Sequence, residues 1–314
     1  MRILITGIGG YIGSSLAYHV CKSTTPLYTV IGIGRGTKYP LLRAKLTGRI
    51  TLYEGNIEDE DLLNKSAEGC DVIVHTASPV SERYCQEQYA EAERAIVLGT
   101  RKIVQAARRT SSLLIHLSTQ AVYSTYRVRA MPLDEQMPLL PDTAYGTLKA
   151  EAEYEVLTYP SAIILRLVNI YGIGKITPMH NDVVTSIFIS ASQRKEAITI
   201  YGDGSQGIDL VHIDDLVQLI EHLILHRPSQ YVPSVINVSS GKAVYIRDLA
   251  HMVQKEAYQS LQYSIPIQFK DSPAGKIWPT RFLSNNKVRA AAPWFPRVAL
   301  RDGIREMLTV SHGI

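Results

Sequence analysis

Apolar residues follow two rhythms along the first half of the chain. Short continuous runs read as buried strands. They alternate with stretches whose apolar positions recur every three or four residues, which read as helices. "RILITG" predicts a first strand and Tyr11 to Cys21 a helix. Tyr28 to Ile33 predicts a second strand, "RITLYEG" a third, Glu60 to Ala67 a short helix and "DVIVHTAS" a fourth strand. A long amphipathic helix is predicted from Glu87 to Arg109, with Ala92, Ile96, Ile103, Val104 and Ala107 on its apolar side. "LLIHLST" predicts a fifth strand. After a proline-bearing loop come a helix from Ala144 to Thr158 and a sixth strand, "AIILRLVNIYG". This alternation implies an α/β fold, a doubly wound parallel sheet covered on both faces.

The rhythm loosens after Tyr171, where helices and short strands mix and prolines recur. Residues 1–170 are expected to form one domain, with 208–240 returning to it. Residues 171–207 and 241–314 are expected to form a smaller mixed α/β substrate-binding cap. Asp214 and Asp215 are expected to cap a helix beginning at Leu216. His75, His116 and His212 lie in apolar strands and read as packed core residues, with no second ligand at metal spacing.

Composition narrows the function classes. The chain has 314 residues, 46% hydrophobic and 20% charged, enough for one large domain or two associated ones. No apolar run has the length of a membrane span. Residue 1 opens directly onto a strand, which leaves no room for a signal peptide, so a cytoplasmic location is expected. Cys21, Cys70 and Cys85 lie far apart and read as free thiols, with metal binding not expected. The net charge is only +4 and the basic residues are scattered, so no nucleic-acid partner is expected.

Candidate chemistry begins at "LITGIGGYIGSSLAYHV". Gly7, Gly10 and Gly13 lie between the first strand and the first helix. Glycines there permit a tight turn and a close approach of backbone to a pyrophosphate facing the helix N-terminus, the arrangement of a Rossmann-type dinucleotide site. "GDGSQG" matches G-x-G-x-x-G literally, yet a strand follows it, so it fails the required context. At the tip of the second strand an acidic residue would bond the ribose 2′-hydroxyl of NAD. The chain has Gly34 there and then Arg35, with Lys38 close behind. A guanidinium suits a 2′-phosphate, so NADP is favoured over NAD.

"AYGTLKAEAE" sets Tyr145 and Lys149 four residues apart, on one helix face. A neighbouring ammonium is expected to lower the tyrosine pKa and fit it for proton transfer at a carbinol or carbonyl oxygen. Y-x-x-x-K also occurs at Tyr18/Lys22 and Tyr171/Lys175. Only Tyr145/Lys149 opens a helix soon after a strand ending in hydroxyls, Ser118 and Thr119.

In these segments, and in "EGNIEDEDLL", "VLGTRKIVQAA", "LRLVNIYGIG", "IYGDGSQGIDLVHIDDL", "INVSSGKAVYIRDLA" and "PRVALRDGIREML", the chain resembles the extended short-chain dehydrogenase/reductase family. The resemblance is to its nucleotide-sugar epimerase/dehydratase branch and runs along nearly the whole chain. It implies that Gly7, Gly10, Tyr11, Ile12 and Gly13 hold the pyrophosphate. Asn56 and Ile57 would sit beside the adenine, and Thr76, Ala77 and Ser78 would line the cofactor. Thr119, Tyr145 and Lys149 are the implied catalytic trio: Tyr145 the acid/base, Lys149 its tuner and ribose ligand, Thr119 bonded to the reacting oxygen. Ser78, Gln120, Asn169, Thr199 and Tyr201 are implied on the substrate side. The family often dimerises through its long helices, here Glu87 to Arg109 and the helix after Tyr145.

Three departures matter. Dehydratases of the branch carry an Asp-Glu pair where this chain has Gln120 and Ala121, which argues against a 4,6-dehydratase. An arginine for the substrate diphosphate is replaced by Ile208. A second is missing near Ala274, with Lys276 and Arg281 as substitutes. The leading expectation is an NADPH-dependent keto-sugar reductase. The alternative is a nucleotide-sugar 4-epimerase with bound NAD, and a third reading is a dinucleotide sensor without turnover.

Overall fold

In the computed structural model the strands are, in chain order, β1 (Arg2–Thr6), β2 (Thr29–Gly34), β3 (Ile50–Glu54), β4 (Val72–His75), β5 (Leu113–Thr119), β6 (Ala162–Leu167), β7 (Asn169–Tyr171), β8 (Ile198–Tyr201), β9 (Gly207–Ile208), β10 (Leu210–His212), β11 (Ser234–Val238), β12 (Val244–Tyr245) and β13 (Ile267–Lys270). The helices are α1 (Tyr11–Lys22), α2 (Tyr39–Lys45), α3 (Glu60–Ala67), α4 (Glu82–Glu87), α5 (Tyr89–Glu93), α6 (Gly99–Thr110), α7 (Ala144–Leu157), α8 (Val184–Gln193), α9 (Ile213–Leu225), α10 (Ile246–Leu261), α11 (Asn286–Ala291) and α12 (Leu300–Thr309). The structure describes residues 1–23, 28–46, 49–79, 81–124, 131–180, 183–226, 234–272 and 279–310.

Seven strands form one parallel sheet in the order β11-β6-β5-β4-β1-β2-β3. Growth reverses direction between β1 and β4. That gap is the switch point where open α/β sheets bind ligands, beyond the carboxyl ends of the strands. The pleat divides the apolar residues. Ile3 and Ile5 of β1 join the core under α1 and α9. Leu4 joins the opposite core with Leu63 of α3 and Ile103 and Ala107 of α6. Both faces are therefore dry, which is why the strands read as continuous apolar runs.

Two predicted elements are broken. The long helix is three segments with a π turn at Arg94–Leu98 between α5 and α6. Gly99 follows that turn, and a Cβ there would lie 2.8 Å from Ile57. The predicted sixth strand splits at Val168: β6 stays in the main sheet while β7 leaves it to pair with β10. Ser234–Val238 returns to the sheet beside β6. β9 pairs antiparallel with β12, and β8 pairs parallel with β13.

The expected cap of α9 is corrected. The helix begins at Ile213, and His212 Nδ1 accepts from the Asp214 amide at 3.2 Å. Asp215 instead accepts from the amides of Arg297 and Val298 at 3.0 and 3.1 Å, tying the segment before α12 to α9.

The loop after β7 straps the start of α1. Tyr11 donates its hydroxyl to Gly172 O at 3.0 Å, Thr177 donates its hydroxyl to Gly9 O at 2.9 Å, and the Thr177 amide donates to Ser14 Oγ. Lys175, within this strap, pairs with Asp214 at 3.3 Å and Glu306 at 3.7 Å.

Candidate active site

The glycine turn sits at the switch point. Gly7 has φ +66°, and a Cβ there would press on Ala77 Cα at 2.7 Å. A Cβ at Gly13 would meet Gly7 O and the Thr76 hydroxyl. Those two glycines let α1 start close against the end of β4. The Thr76 hydroxyl donates to Thr6 O at 2.7 Å, and the Ala77 amide donates to Thr6 Oγ1 at 3.3 Å, which locks β1 to β4 at that point. Gly10 remains exposed, and no side chain caps the first turn of α1. The amides of Tyr11, Ile12 and Gly13 are thus the orphan donors of an α-helix N-terminus. An exposed glycine surface, orphan amides and no carboxylate in the first turn fit a dinucleotide's phosphates.

At the tip of β2, Arg35 is exposed, and the stem of Lys38 passes 3.7 Å from where a Gly9 Cβ would stand. The missing carboxylate reappears one strand over. Glu54 is the register partner of Gly34, and its side chain crowds Gly36, where a Cβ would overlap the carboxylate. Asn56 is exposed and bonds Glu58, while Ile57 is buried against the π turn. Ser78 donates its hydroxyl to Pro79 O.

α7 carries Tyr145 and Lys149 against the end of β5. Thr143 caps it by accepting from the Gly146 amide at 3.1 Å. Glu82 of α4 adds a second anchor: its carboxylate accepts from the amides of Ala144 and Tyr145 at 3.0 and 3.3 Å. Gly146 lies so close to Ala121 that a Cβ would overlap its carbonyl oxygen. Thr119 Oγ1 accepts from the Ala121 amide at 3.2 Å, which leaves its hydroxyl proton to donate elsewhere.

Lys149 is 3% exposed. Its ammonium donates to Leu117 O at 2.7 Å and lies 3.4 Å from His116 Nε2. Burial pulls its pKa down to about 8, against the opposing charge of Glu153. The expected lowering of the Tyr145 pKa does not occur in this structure. Burial pushes the phenol well up, and Cys85 and Glu82 push the same way. Two of the donors of Lys149 are directed at β5, at Leu117 O and His116 Nε2.

One helical turn further, Glu153 is fully buried. It takes a fork of bonds from Arg166 at 2.7 to 3.1 Å and one from the Ser118 hydroxyl. Arg166 also donates to Tyr123 OH, which donates to Asn237. This buried network fixes α7 on β5 and β6.

Of the residues expected to face a substrate, Asn169 is half-buried and bonds Asp209 O through both its amide and its side chain. Gln120 follows Thr119 directly, and its buried Oε1 has no partner among the described residues. Thr199 accepts from Gln268, and Tyr201 is exposed at the end of β8. The Arg281 amide donates to Gly207 O at 3.0 Å, which sets Arg281 beside Ile208. Asp209 is a buried knot, accepting from Ser239, from both the amide and hydroxyl of Ser240, and from the Leu283 amide. Ala274 and Lys276 lie outside the described residues.

Glu54, Glu82, Gly146 and His116 were not found as site residues by sequence reasoning. Each acts across a contact between segments distant in sequence, and none has a local motif. Among the described residues, no group of three or more His, Cys, Asp or Glu could hold a metal ion, and no helix is long and apolar enough to cross a membrane.

A profile of the NAD-dependent epimerase/dehydratase family matches residues 3–239. The UDP-glucose 4-epimerase of Mycolicibacterium smegmatis is 27% identical over 312 residues, covering 97% of this chain and 96% of its own length. The UDP-N-acetyl-alpha-D-glucosaminuronate decarboxylase of Bacillus cytotoxicus is 27% identical over 324 residues, covering 98% and 96%. The UDP-glucuronic acid 4-epimerase of Bacillus cereus, solved in complex with UDP-glucuronic acid and NAD, shares the fold with a TM-score of 0.82. It is 24% identical, and 98% of each chain is covered.

Proposed function

This chain belongs to the NAD-dependent epimerase/dehydratase family, and we propose that it is a nucleotide-sugar 4-epimerase that keeps NAD bound through its catalytic cycle. The observation that carries this reading is the strap of Gly172 to Thr177 bonded across the glycine turn, because a cofactor used and returned in one cycle need not leave. A reductase must exchange its cofactor every turnover, so the keto-sugar reductase reading gives way to its alternative. The epimerase relatives support the same choice.

When bound, NAD would supply reversible hydride transfer at the sugar carbinol carbon, through a keto sugar that can be reduced on either face. Tyr145 holds its proton in this structure, so it would take the carbinol proton once the positive charge of bound NAD beside it favours the phenolate, and would give it back as the ketone is reduced. Thr119 directs its hydroxyl proton to the reacting oxygen. Lys149 keeps a cation behind the tyrosine and serves the ribose. Gln120 and Ala121 supply no acid or base for removing water, which fits epimerisation rather than dehydration.

NAD, rather than NADP, is the cofactor in this reading. Glu54 beside Gly34 and Gly36 supplies the carboxylate that β2 lacks, for the ribose hydroxyls. Arg35 and Lys38 then serve the adenine and the pyrophosphate. Residues 1–170 with 208–240 hold the cofactor, and 171–207 with 241–314 hold the sugar nucleotide. Arg281, next to Ile208, takes over the substrate diphosphate.

The reading includes a homodimer through α5, the π turn and α7, where Tyr89, Leu98, Tyr154 and Leu157 are exposed. Light scattering in solution reads that state. Tyr145→Phe tests enzyme against sensor: nearly all turnover is lost while NAD binding persists. Full activity in the variant would overturn the assignment.

A further inference from the structure

Two buried histidines face each other across β4 and β5 beneath Lys149. His75 and His116 are register partners, their ring centroids are 5.2 Å apart, and they are 2% and 0% exposed. Their hydrogen-bond partners separate their roles.

His75 is fully assigned by proton counting. Thr100 has one hydroxyl proton and donates it to Ile96 O, so toward His75 Nε2 it accepts. His75 therefore carries its proton on Nε2, and Nδ1 accepts from the Thr6 hydroxyl at 2.7 Å. Thr6 Oγ1 in turn accepts from the Ala77 amide at the cofactor-facing end of β4. This chain of bonds runs from Thr100 on α6 to the Ala77 amide and needs no charge.

Among the described residues, the one hydrogen-bond contact His116 makes through its ring is with Lys149 Nζ, 3.4 Å from Nε2. An ammonium has three donors and no lone pair, so the contact is a bond only if Nε2 is the bare nitrogen. The proton then sits on Nδ1, which is buried and without a partner among the described residues. An unsatisfied buried N–H costs free energy, and the bond from Lys149 to the other ring nitrogen offsets it. The titratable groups that act on His116 are Lys149 on α7 and His75 on β4; Glu153, one turn along α7, acts on Lys149 and is itself bonded by Arg166 of β6. Burial, then Lys149, then His75 hold the imidazole neutral.

We propose that His116 is a positioning residue for the reaction: as the neutral Nδ1–H tautomer it accepts from Lys149 at Nε2 and, with the Leu117 carbonyl, fixes the ammonium behind Tyr145. The two acceptors are neighbours on one strand but project differently, one from the backbone and one from a side chain. Together they leave Lys149 a single remaining donor, free for the ribose or for the tyrosine. The role in catalysis rests on the epimerase reading; the tautomer and the Lys149 contact do not.

The test uses the full-length protein. Protein with ¹⁵N-labelled histidine is observed by long-range ¹H–¹⁵N spectra, with the His116 signals identified by their loss in His116→Phe. His116 is expected as Nδ1–H between about pH 6 and 9, with its Nε2 shift moving in Lys149→Met. An Nε2–H tautomer would overturn the proposal directly, whether or not any substrate has been found. In ¹³Cε-lysine spectra, Lys149 is expected to titrate at lower pH in His116→Phe than in the wild type, because the charged form loses an acceptor. His116→Gln, whose amide oxygen can accept, should restore it, and an unchanged titration in His116→Phe contradicts the contact. On turnover, His116→Phe is expected to lower kcat roughly three- to tenfold with KM unchanged and to move the basic limb of the pH profile down. His116→Gln should recover most of this. If His116→Phe does not fold, His116→Gln identifies the wild-type signals by their loss, and the tautomer and the His116→Gln profile still decide the matter. If the tautomer and titration hold but no epimerase activity exists, the function is wrong and the Lys149–His116 bond stands.

Discussion

Gly146 stands against the carbonyl oxygen of Ala121, where α7 packs on the turn after Thr119. A Cβ would occupy the space of a backbone atom, which has no flexible end to move aside. On a free helix, Gly to Ala would be stabilising by about 1 kcal/mol. Here the overlap costs about 1–3 kcal/mol and shifts α7 outward. Gly146→Ala is therefore expected to lower the melting temperature and to cut turnover roughly 10- to 100-fold, because Tyr145 moves with the helix. A melting curve and a rate on the same sample check both.

Glu82 links α4 to the first turn of α7 and places a carboxylate near the Tyr145 hydroxyl. Burial raises the tyrosine pKa most, then Cys85, then Glu82. Removing the charge lowers that pKa, since the phenolate no longer meets a second anion. Glu82→Gln should move the tyrosine-dependent limb of the rate profile to lower pH with little loss of stability. Glu82→Ala should also cost about 1 kcal/mol as a lost cap.

Lys149 gives a stability prediction with a definite sign. The ammonium titrates at about 8 when folded, against 10.5 in its ordinary environment. Between those values the unfolded chain holds a proton that the folded chain lacks, so folding is penalised as pH falls from 10.5 to 8. Below 8 both states hold the proton and the penalty stays level at about 3 kcal/mol. Lys149→Met removes it. The stability of the variant relative to wild type should therefore rise as pH falls through this window and flatten below about pH 8. Denaturant unfolding at pH 7, 8, 9 and 10 reads the slope, and turnover should be lost throughout.

The order of elements around the candidate site was legible in the sequence, and the contacts between them were not, for a shared reason. The order of glycine turn, hydroxyl-ended strand and Tyr-Lys helix is local information, and β5 and α3 occupy the ranges their apolar patterns predicted. The break at Val168 was not legible, because β6 and β7 form one unbroken apolar run and only the partner strand changes. The His212 cap was hidden behind two aspartates that are better caps by propensity. Glu54 could not be matched to Gly34 without the register of β2 on β3. Glu82 meets α7 across 62 residues of chain, and His116 meets Lys149 across 33.

The register of β2 on β3 also carries the cofactor choice. Glu54→Gln should weaken NADH binding and improve NADPH binding, since a carboxylate repels a 2′-phosphate. Arg35→Ala should leave the preference for NAD in place. Competitive fluorescence titrations of the two reduced cofactors check both. A wild-type preference for NADPH that disappears in Arg35→Ala would restore the NADP reading.

The central claim is a retained cofactor serving both halves of one reaction, and the most direct measurement adds no cofactor at all. Purified protein is incubated with UDP-glucose, UDP-N-acetylglucosamine and UDP-glucuronic acid in turn, and the sugar is followed by NMR while the protein is denatured in parallel to release what it holds. The account predicts interconversion of one of these sugars with its 4-epimer, and about one NAD per chain in the denatured extract. Extract free of NAD, with no interconversion and steady consumption of added NADPH by a keto sugar, would contradict it.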